Sequence, residues 1–263
     1  MSRKDFLTQL DNFRHEAYVA AQYLYSEMAV QHAASKSKKL LNRLNLTPRF
    51  WLTHSAATQA AAYLSLARVF DKSSAYNVDA LLNTFEASLS LFSREALAER
   101  KRDGKAKDPE WLAGYLEEAH YPTQKDVDRL RSRVAAQRVV YERAIEPARH
   151  KYIAHRVKVD QDEVKALFGA GLVKELWRMV TFLYALYTAL SQQYINGRKP
   201  ILRPLRYSVR TIYDSARSDG APHEAIVAET RRLMELLETV TPNSSIERTS
   251  NRLRRSAAAH VER

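Results

Sequence analysis

The sequence predicts an all-α protein. Three observations carry this. Apolar residues recur at spacings of three and four over several long stretches. No alternating strand pattern of useful length appears, Tyr207–Tyr213 being the nearest approach. The chain has only 6 glycines among 263 residues, with no GxGxxG and no GxxxxGK[ST], so nucleotide folds built on glycine-rich turns are disfavoured.

The elements follow in order. Phe6, Leu10, Phe13, Ala17, Ala20, Leu24 and Met28 form one stripe, predicting a long helix from about Ser2 to Ala33, followed by a lysine-rich break at Ser35–Lys39. Thr47 and Pro48 suit a helix start, and the next helix runs to Phe70. Asn77 caps a helix carrying Val78, Leu81, Leu82, Phe85, Leu89 and Phe92. Residues 94–107 are polar and basic, with Gly104 and Pro109 as breakers, and Trp111 and Tyr115 lie on a short helix or ordered loop. Thr123 and Asp126 form a capping pair opening a long helix through Tyr141 and Ile145. Pro147 removes a helical hydrogen bond, so a kink or restart is expected there, with Ala148–Lys158 helical again. Asp160 and Glu163 cap a short helix ending near Gly169. Leu172–Tyr194 is the last long core helix, stopped by Asn196-Gly197. His223–Val240 is a further amphipathic helix. Two domains are expected: residues 1–197, a helical core, and residues 198–263, a basic extension with one amphipathic helix and a tail that frays or docks on a partner.

Composition narrows the function. The chain has no cysteine, which removes disulfides, thiolate zinc sites, iron–sulfur clusters and a cysteine nucleophile. No signal peptide is apparent, and Leu172–Leu190 carries Lys174, Glu175 and Arg178, so it reads as a buried amphipathic helix and not a membrane span. A cytoplasmic protein with no membrane partner is the expectation. Lys and Arg number 42 against 30 acids, and a net charge of +12 favours an anionic partner, nucleic acid first.

That charge is uneven. Arg129–Lys158 has nine bases against two acids, Glu142 and Glu146, a net of +7; Arg198–Arg217 has a net of +5. Inside the first run sits Arg149-His150-Lys151-Tyr152-Ile153-Ala154-His155-Arg156. Arginine is permanently charged and grips phosphate through two bonds. Histidine titrates near neutrality and moves protons. Together they suffice to cleave RNA without metal, His155 acting on the 2′-hydroxyl or the leaving oxygen and Arg149 on the charge growing at phosphorus. On an ideal helix the two side chains point about 120° apart and lie about 9 Å apart along the axis. They therefore line one groove without touching, and the site is more complete where two such segments face each other in a dimer, or where the Pro147 kink reshapes the first turn. Metal ligation is disfavoured: His150 and His155 are five residues apart, with no acid between Glu146 and Asp160. A Ser/His/Asp hydrolase lacks its nucleophile-elbow sequence.

Arg149 to His155 resembles the R-x(4–6)-H signature of the HEPN superfamily, with His150 as the polar residue that follows the arginine. Phe50-Trp51-Leu52-Thr53-His54-Ser55 and Leu66-Ala67-Arg68-Val69-Phe70-Asp71 resemble the abortive-infection U-type branch. There, a helix ending in Arg-x-x-Asp precedes the helix with the Arg/His motif. The likeness spans about Phe6–Tyr194. It implies a helical bundle, a homodimer, and metal-independent, cofactor-free RNA cleavage leaving a 2′,3′-cyclic phosphate. It also implies a phage-defence or toxin–antitoxin setting, with an antitoxin or defence-system partner protein. It points to Arg149 and His155 as catalytic with His150 in support. Related toxins often carry a tyrosine two residues after the histidine, where this chain has Val157.

Each feature has a plainer reading. Arg68 and Asp71, three apart on one helix, fit a surface ion pair worth a few tenths of a kcal/mol. Alternatively, one of them reaches the groove and orients Arg149 or His155. His54 fits a satisfied core histidine. Trp177, Phe182, Tyr184, Tyr187 and Tyr194 fit the core better than a base-stacking platform. Arg143, Lys151, Arg156, Lys158, Arg203 and Arg206 are the candidate RNA contacts, or simply a solvated basic face. Two functions remain: the endoribonuclease, and a non-catalytic helical module that binds RNA or a defence protein.

Overall fold

The computed structural model describes residues 2–102, 104, 107–150, 172–203, 208–215 and 221–240. Every regular element among the described residues is helical. Helix α1 (Arg3–Lys36) buries the expected stripe of Phe6, Leu10, Phe13, Ala17 and Leu24. The lysine-rich stretch after it is not a simple break. Ser37 takes an extended backbone, accepts from the Leu40 amide at 3.1 Å, and starts α2 (Lys38–Leu44). Only Leu40 and Leu44 of α2 are buried, so its apolar periodicity was too sparse to stand out.

Helix α3 (Pro48–Phe70) and helix α4 (Val78–Ala87) match expectation, the latter with the Asn77 side chain accepting from the Ala80 amide at 2.8 Å. A 3₁₀ turn (Leu89–Phe92) then leads into α5 (Arg94–Arg102), a helix in the stretch that reads as polar connection. Its buried residues are Leu97 and Ala98 alone. Helix α6 (Leu112–Glu118) and helix α7 (Gln124–Ala144) follow, α7 opening on the predicted capping pair, where the Thr123 amide donates to Asp126 Oδ2 at 3.0 Å. Pro147 has the expected effect: α7 ends at Ala144, a single turn α8 (Glu146–Ala148) restarts, and a wider turn begins at Arg149. Helix α9 (Leu172–Asn196) stops at Gly197, whose φ of 59° is the left-handed C′ conformation. Helix α10 (Val209–Ser215) occupies the stretch that came nearest to a strand pattern, and α11 (Pro222–Thr239) is the expected last helix.

The chain forms two compact units. One comprises Met1–Ala20 and Ala62–Arg206, the other Ala21–Ala61 and Tyr207–Arg263. In the first, Phe6, Phe85, Phe92 and Tyr194 make a cluster of edge and tilted ring contacts at 4.9–6.3 Å. Helices α7 and α9 run antiparallel there: Arg143 pairs with Glu175 at one end, and Arg129 Nη2 donates to the Pro200 carbonyl at 3.2 Å near the other. In the second unit, Ala33, Leu40, Leu44 and Met234 form the core, with Trp51, Tyr213 and Leu237 against it. His54 is half-buried beside the Phe50 and Trp51 rings, not a core histidine. Among the described residues no helix is long and apolar enough to cross a membrane.

Candidate active site at Arg149

Helix α3 delivers Asp71 one residue beyond its last turn, with the Asp71 amide still bonded to the Ala67 carbonyl at 2.8 Å. Ser73 then folds back on it. The Ser73 amide and hydroxyl donate to Asp71 Oδ1 at 2.9 and 2.7 Å, an Asx-type turn. This leaves Oδ2 facing away from its own loop. Arg149, at the close of α8, donates Nη1 to that oxygen at 2.5 Å.

Two aromatic rings, Phe70 and Tyr141, adjoin the pair. Tyr141 is 1% exposed and stacks on Phe70 with centroids 5.7 Å apart. Arg138 Nη2 meets Asp79 Oδ2 at 2.6 Å while Nε donates to the Phe70 carbonyl, satisfying one of the last carbonyls of α3. Arg149 Nε and the Tyr141 hydroxyl are both buried and make no well-aligned hydrogen bond among the described residues. The two groups nevertheless lie near enough to act on each other electrostatically.

The electrostatics are consistent with a fixed cation. Ser73, through its hydroxyl and amide, and then Arg149 hold the Asp71 carboxyl below its usual range. Burial works against the charge on Arg149, but Asp71 and Tyr141 outweigh it and move its pKa up. Burial pushes the Tyr141 phenol up, against the pull of Arg149. The result is a partly buried guanidinium, about one-fifth exposed, held by one terminal nitrogen.

Of the candidate site residues, the structure brings Arg149 and Asp71 together. Arg68 does not join them: it pairs with Glu16 at 3.3 Å, so the Arg68–Asp71 surface pair does not form. His150 is exposed, with Nε2 3.7 Å from Glu146. His155, Lys151, Arg156, Lys158 and Arg206 lie outside the described residues. Arg143 is engaged by Glu175, and Arg203 is exposed. Tyr141, Phe70 and Ser73 were not anticipated as part of this setting. Tyr141 looked like one more core residue of a helical stripe, and only the Asp-x-Ser spacing of Asp71 and Ser73 hinted at the turn.

The basic run on α7 is also different from its composition. Arg129 pairs with Asp126 at 2.9 Å, Arg131 with Glu86 at 2.6 Å, Arg138 with Asp79 at 2.6 Å, and Arg143 with Glu175. Carboxylates from α4, α7 and α9 neutralise much of what reads as a cationic face.

A family model described as AbiU2, of the HEPN type, matches residues 3–210, well over half of the chain. The chain belongs to the AbiU2 family of HEPN proteins. The AbiU2 match includes Arg68, Asp71 and the whole Arg149–His155 motif, and it extends past the end of α9, further than the motif likeness alone could be traced. No curated protein and no solved structure matches the chain.

Proposed function

We propose that the protein is a metal-independent endoribonuclease of a phage-defence, abortive-infection or toxin–antitoxin system, acting as a cytoplasmic homodimer. The observation that supports this best is the arginine opening the HEPN motif. Arg149 is partly buried and held at 2.5 Å by an aspartate from a different helix. A cation fixed in this way loses little conformational freedom on meeting a phosphate and is already oriented for it.

In this reading the 2′-oxygen of the substrate attacks the adjacent phosphorus and its proton passes to a histidine. The bond from phosphorus to the 5′-oxygen breaks, and that oxygen takes a proton from a second histidine. The products are a 2′,3′-cyclic phosphate and a 5′-hydroxyl. Arg149 stabilises the charge that develops on the phosphoryl oxygens. His155 from each of two facing copies supplies base and acid, and His150 assists positioning. An antitoxin or defence partner fits the same setting.

The second reading, a non-catalytic binding module, has its own supporting observation: Arg129, Arg131 and Arg138 of α7, and Arg149 itself, already pair with carboxylates of this chain. One assay separates the two. Purified protein is incubated in EDTA with total RNA and with tRNA, beside Arg149→Ala and His155→Ala. The nuclease reading expects 5′-hydroxyl and cyclic-phosphate ends in the wild type, reduced about 100-fold or more in each variant. It also expects growth arrest on expression of the wild type alone. Equal behaviour of all three proteins in both assays leaves the binding module.

A further inference from the structure

A second feature lies in the same unit, far from Arg149. A groove of about 860 Å³ opens between α6 and the C-terminal half of α9. Its cations are Lys101, Arg198, Lys199 and Arg203, with Glu118 as the single acidic residue lining it among the described residues. The antiparallel pairing of α7 and α9 puts Arg129 at this end and Arg143 at the other, about 21 Å apart at 1.5 Å per residue.

The cations here differ from those on α7. Arg198, Lys199 and Arg203 are exposed and have no carboxylate partner among the described residues. Lys101 donates to the Asn196 side chain at 2.7 Å and sits 5.0 Å over the Tyr115 ring, which places its ammonium at the aromatic wall of the groove.

The segment that carries Arg198 and Lys199 is pinned. The His120 amide donates to the Gly197 carbonyl at 2.7 Å, Arg129 holds the Pro200 carbonyl, and the Ile201 amide closes back on Lys199 at 2.8 Å. Tyr115 donates its hydroxyl to the Asn196 carbonyl at 2.8 Å, which fixes the aromatic wall. The floor is made of small apolar residues, Ala185 and Ala189 of α9 with Ala119 opposite. A preformed groove with an apolar floor, an aromatic wall and a rim of exposed cations matches a chain whose flat bases lie inward and whose phosphates lie outward. A duplex conceals its base faces and cannot use such a floor.

We infer that this groove is a phosphate-backbone site for single-stranded RNA, separate from the Arg149 centre. The inference rests on RNA being the protein's substrate, and it assigns where a strand is held away from the point of cleavage. Arg198 and Lys199 take the phosphates, and a base packs over Ala185 and Ala189 beside Tyr115.

The test is binding of a fluorescent 2′-O-methyl oligouridylate of about twelve nucleotides, long enough for one such site and without a 2′-hydroxyl to attack. Fluorescence anisotropy on the full chain, over a salt series, compares wild type with Arg198→Ala/Lys199→Ala, Thr188→Trp and Arg133→Ala. Thr188 is an exposed groove residue, so the tryptophan fills the groove without altering charge. Arg133 is exposed on α7, outside the groove. Thermal unfolding confirms that each variant is folded. The expected result is at least about tenfold weaker binding for the double variant, with the salt slope lowered by about 1.4. Thr188→Trp weakens binding and Arg133→Ala leaves it within about twofold of wild type. Wild-type affinity in the double variant overturns the inference, as does an equal loss with Arg133→Ala, which indicates diffuse attraction. Full displacement by millimolar uridine monophosphate also overturns it, in favour of a small-nucleotide pocket. Because the probe is uncleavable, these outcomes are independent of the His155→Ala cleavage assay, and either reading can fail alone.

Discussion

Asp71 Oδ2 and Arg149 Nη1 meet at 2.5 Å although 78 residues of chain separate them. Ser73 occupies the aspartate's other oxygen, so Asp71 is itself fixed before it fixes Arg149. Phe70 and Tyr141, the neighbours of this contact, stack on one another and tie the end of α3 to the end of α7.

If Arg149 acts on phosphate, Asp71 is a positioning residue. Asp71→Ala is expected to lower the cleavage rate about 100-fold, the usual cost of misplacing a catalytic group by about an ångström. It should add almost nothing to Arg149→Ala, because the two act as one unit. Arg68→Ala, which loses only the exposed contact to Glu16, is expected to cleave as wild type. Single-turnover rates for the three single variants and the Asp71/Arg149 double variant check this. Full additivity of Asp71→Ala and Arg149→Ala refutes the coupling.

Asp126 couples stability to pH. Burial alone raises its pKa, but the Thr123 amide, His120 and Arg129 outweigh burial and hold it below 3.8. A carboxyl whose folded pKa lies below its unfolded value stabilises the fold fully above the unfolded value, and that share is lost as pH falls through the folded one. Asp126→Asn is therefore expected to cost about 2 kcal/mol at pH 6. The gap to wild type should close on acidification below 3.8. Urea unfolding at both pH values measures it; a gap that stays constant or widens in acid contradicts the assignment.

Gly197 is required by its backbone and by its surroundings. Its φ is 59°, and a Cβ there meets Leu97 Cδ2 at 2.7 Å and the Ala119 Cβ at 3.0 Å. Gly197→Ala is expected to lose about 1–2 kcal/mol from the left-handed conformation alone, plus the cost of moving Leu97. Since Gly197 also precedes Arg198 and Lys199, oligonucleotide affinity should fall with it. Denaturant unfolding and the anisotropy assay report the two effects separately.

Tyr141 carries a buried hydroxyl without a well-aligned partner among the described residues, on a ring packed against Phe70. Tyr141→Phe keeps the ring and should change stability by less than about 1 kcal/mol in either direction. Tyr141→Ala removes the packing and should cost about 3–5 kcal/mol. A loss above 2 kcal/mol in the phenylalanine variant, read by urea unfolding, means that the hydroxyl is firmly bonded.

Much of the helical layout was legible in the residues, because the signals are local. Thr47 and Pro48 start α3, Asn77 starts α4, Thr123 and Asp126 start α7, Pro147 ends it, and Gly197 ends α9. Each is a matter of hydrogen bonds or backbone angles within four residues. The short α2 and α5 escaped because two buried residues each do not make a periodic stripe. The Arg149 motif, being contiguous, was also readable as residue types.

What spacing could not decide was partnership. Arg68 and Asp71 sit at the right interval to pair, yet Arg68 meets Glu16 and Asp71 meets Arg149. The run on α7 reads as a cationic face, yet Asp126, Glu86, Asp79 and Glu175 claim four of its five arginines, while the shorter run after α9 keeps Arg198 and Lys199 open to solvent. A charge pairs with whatever opposite charge folding brings within about 4 Å, and its strength depends on how much water remains between them. Helix packing sets both quantities across tens of residues, so helix-forming tendency was written along the chain, and the location of usable positive charge was settled only by the tertiary structure.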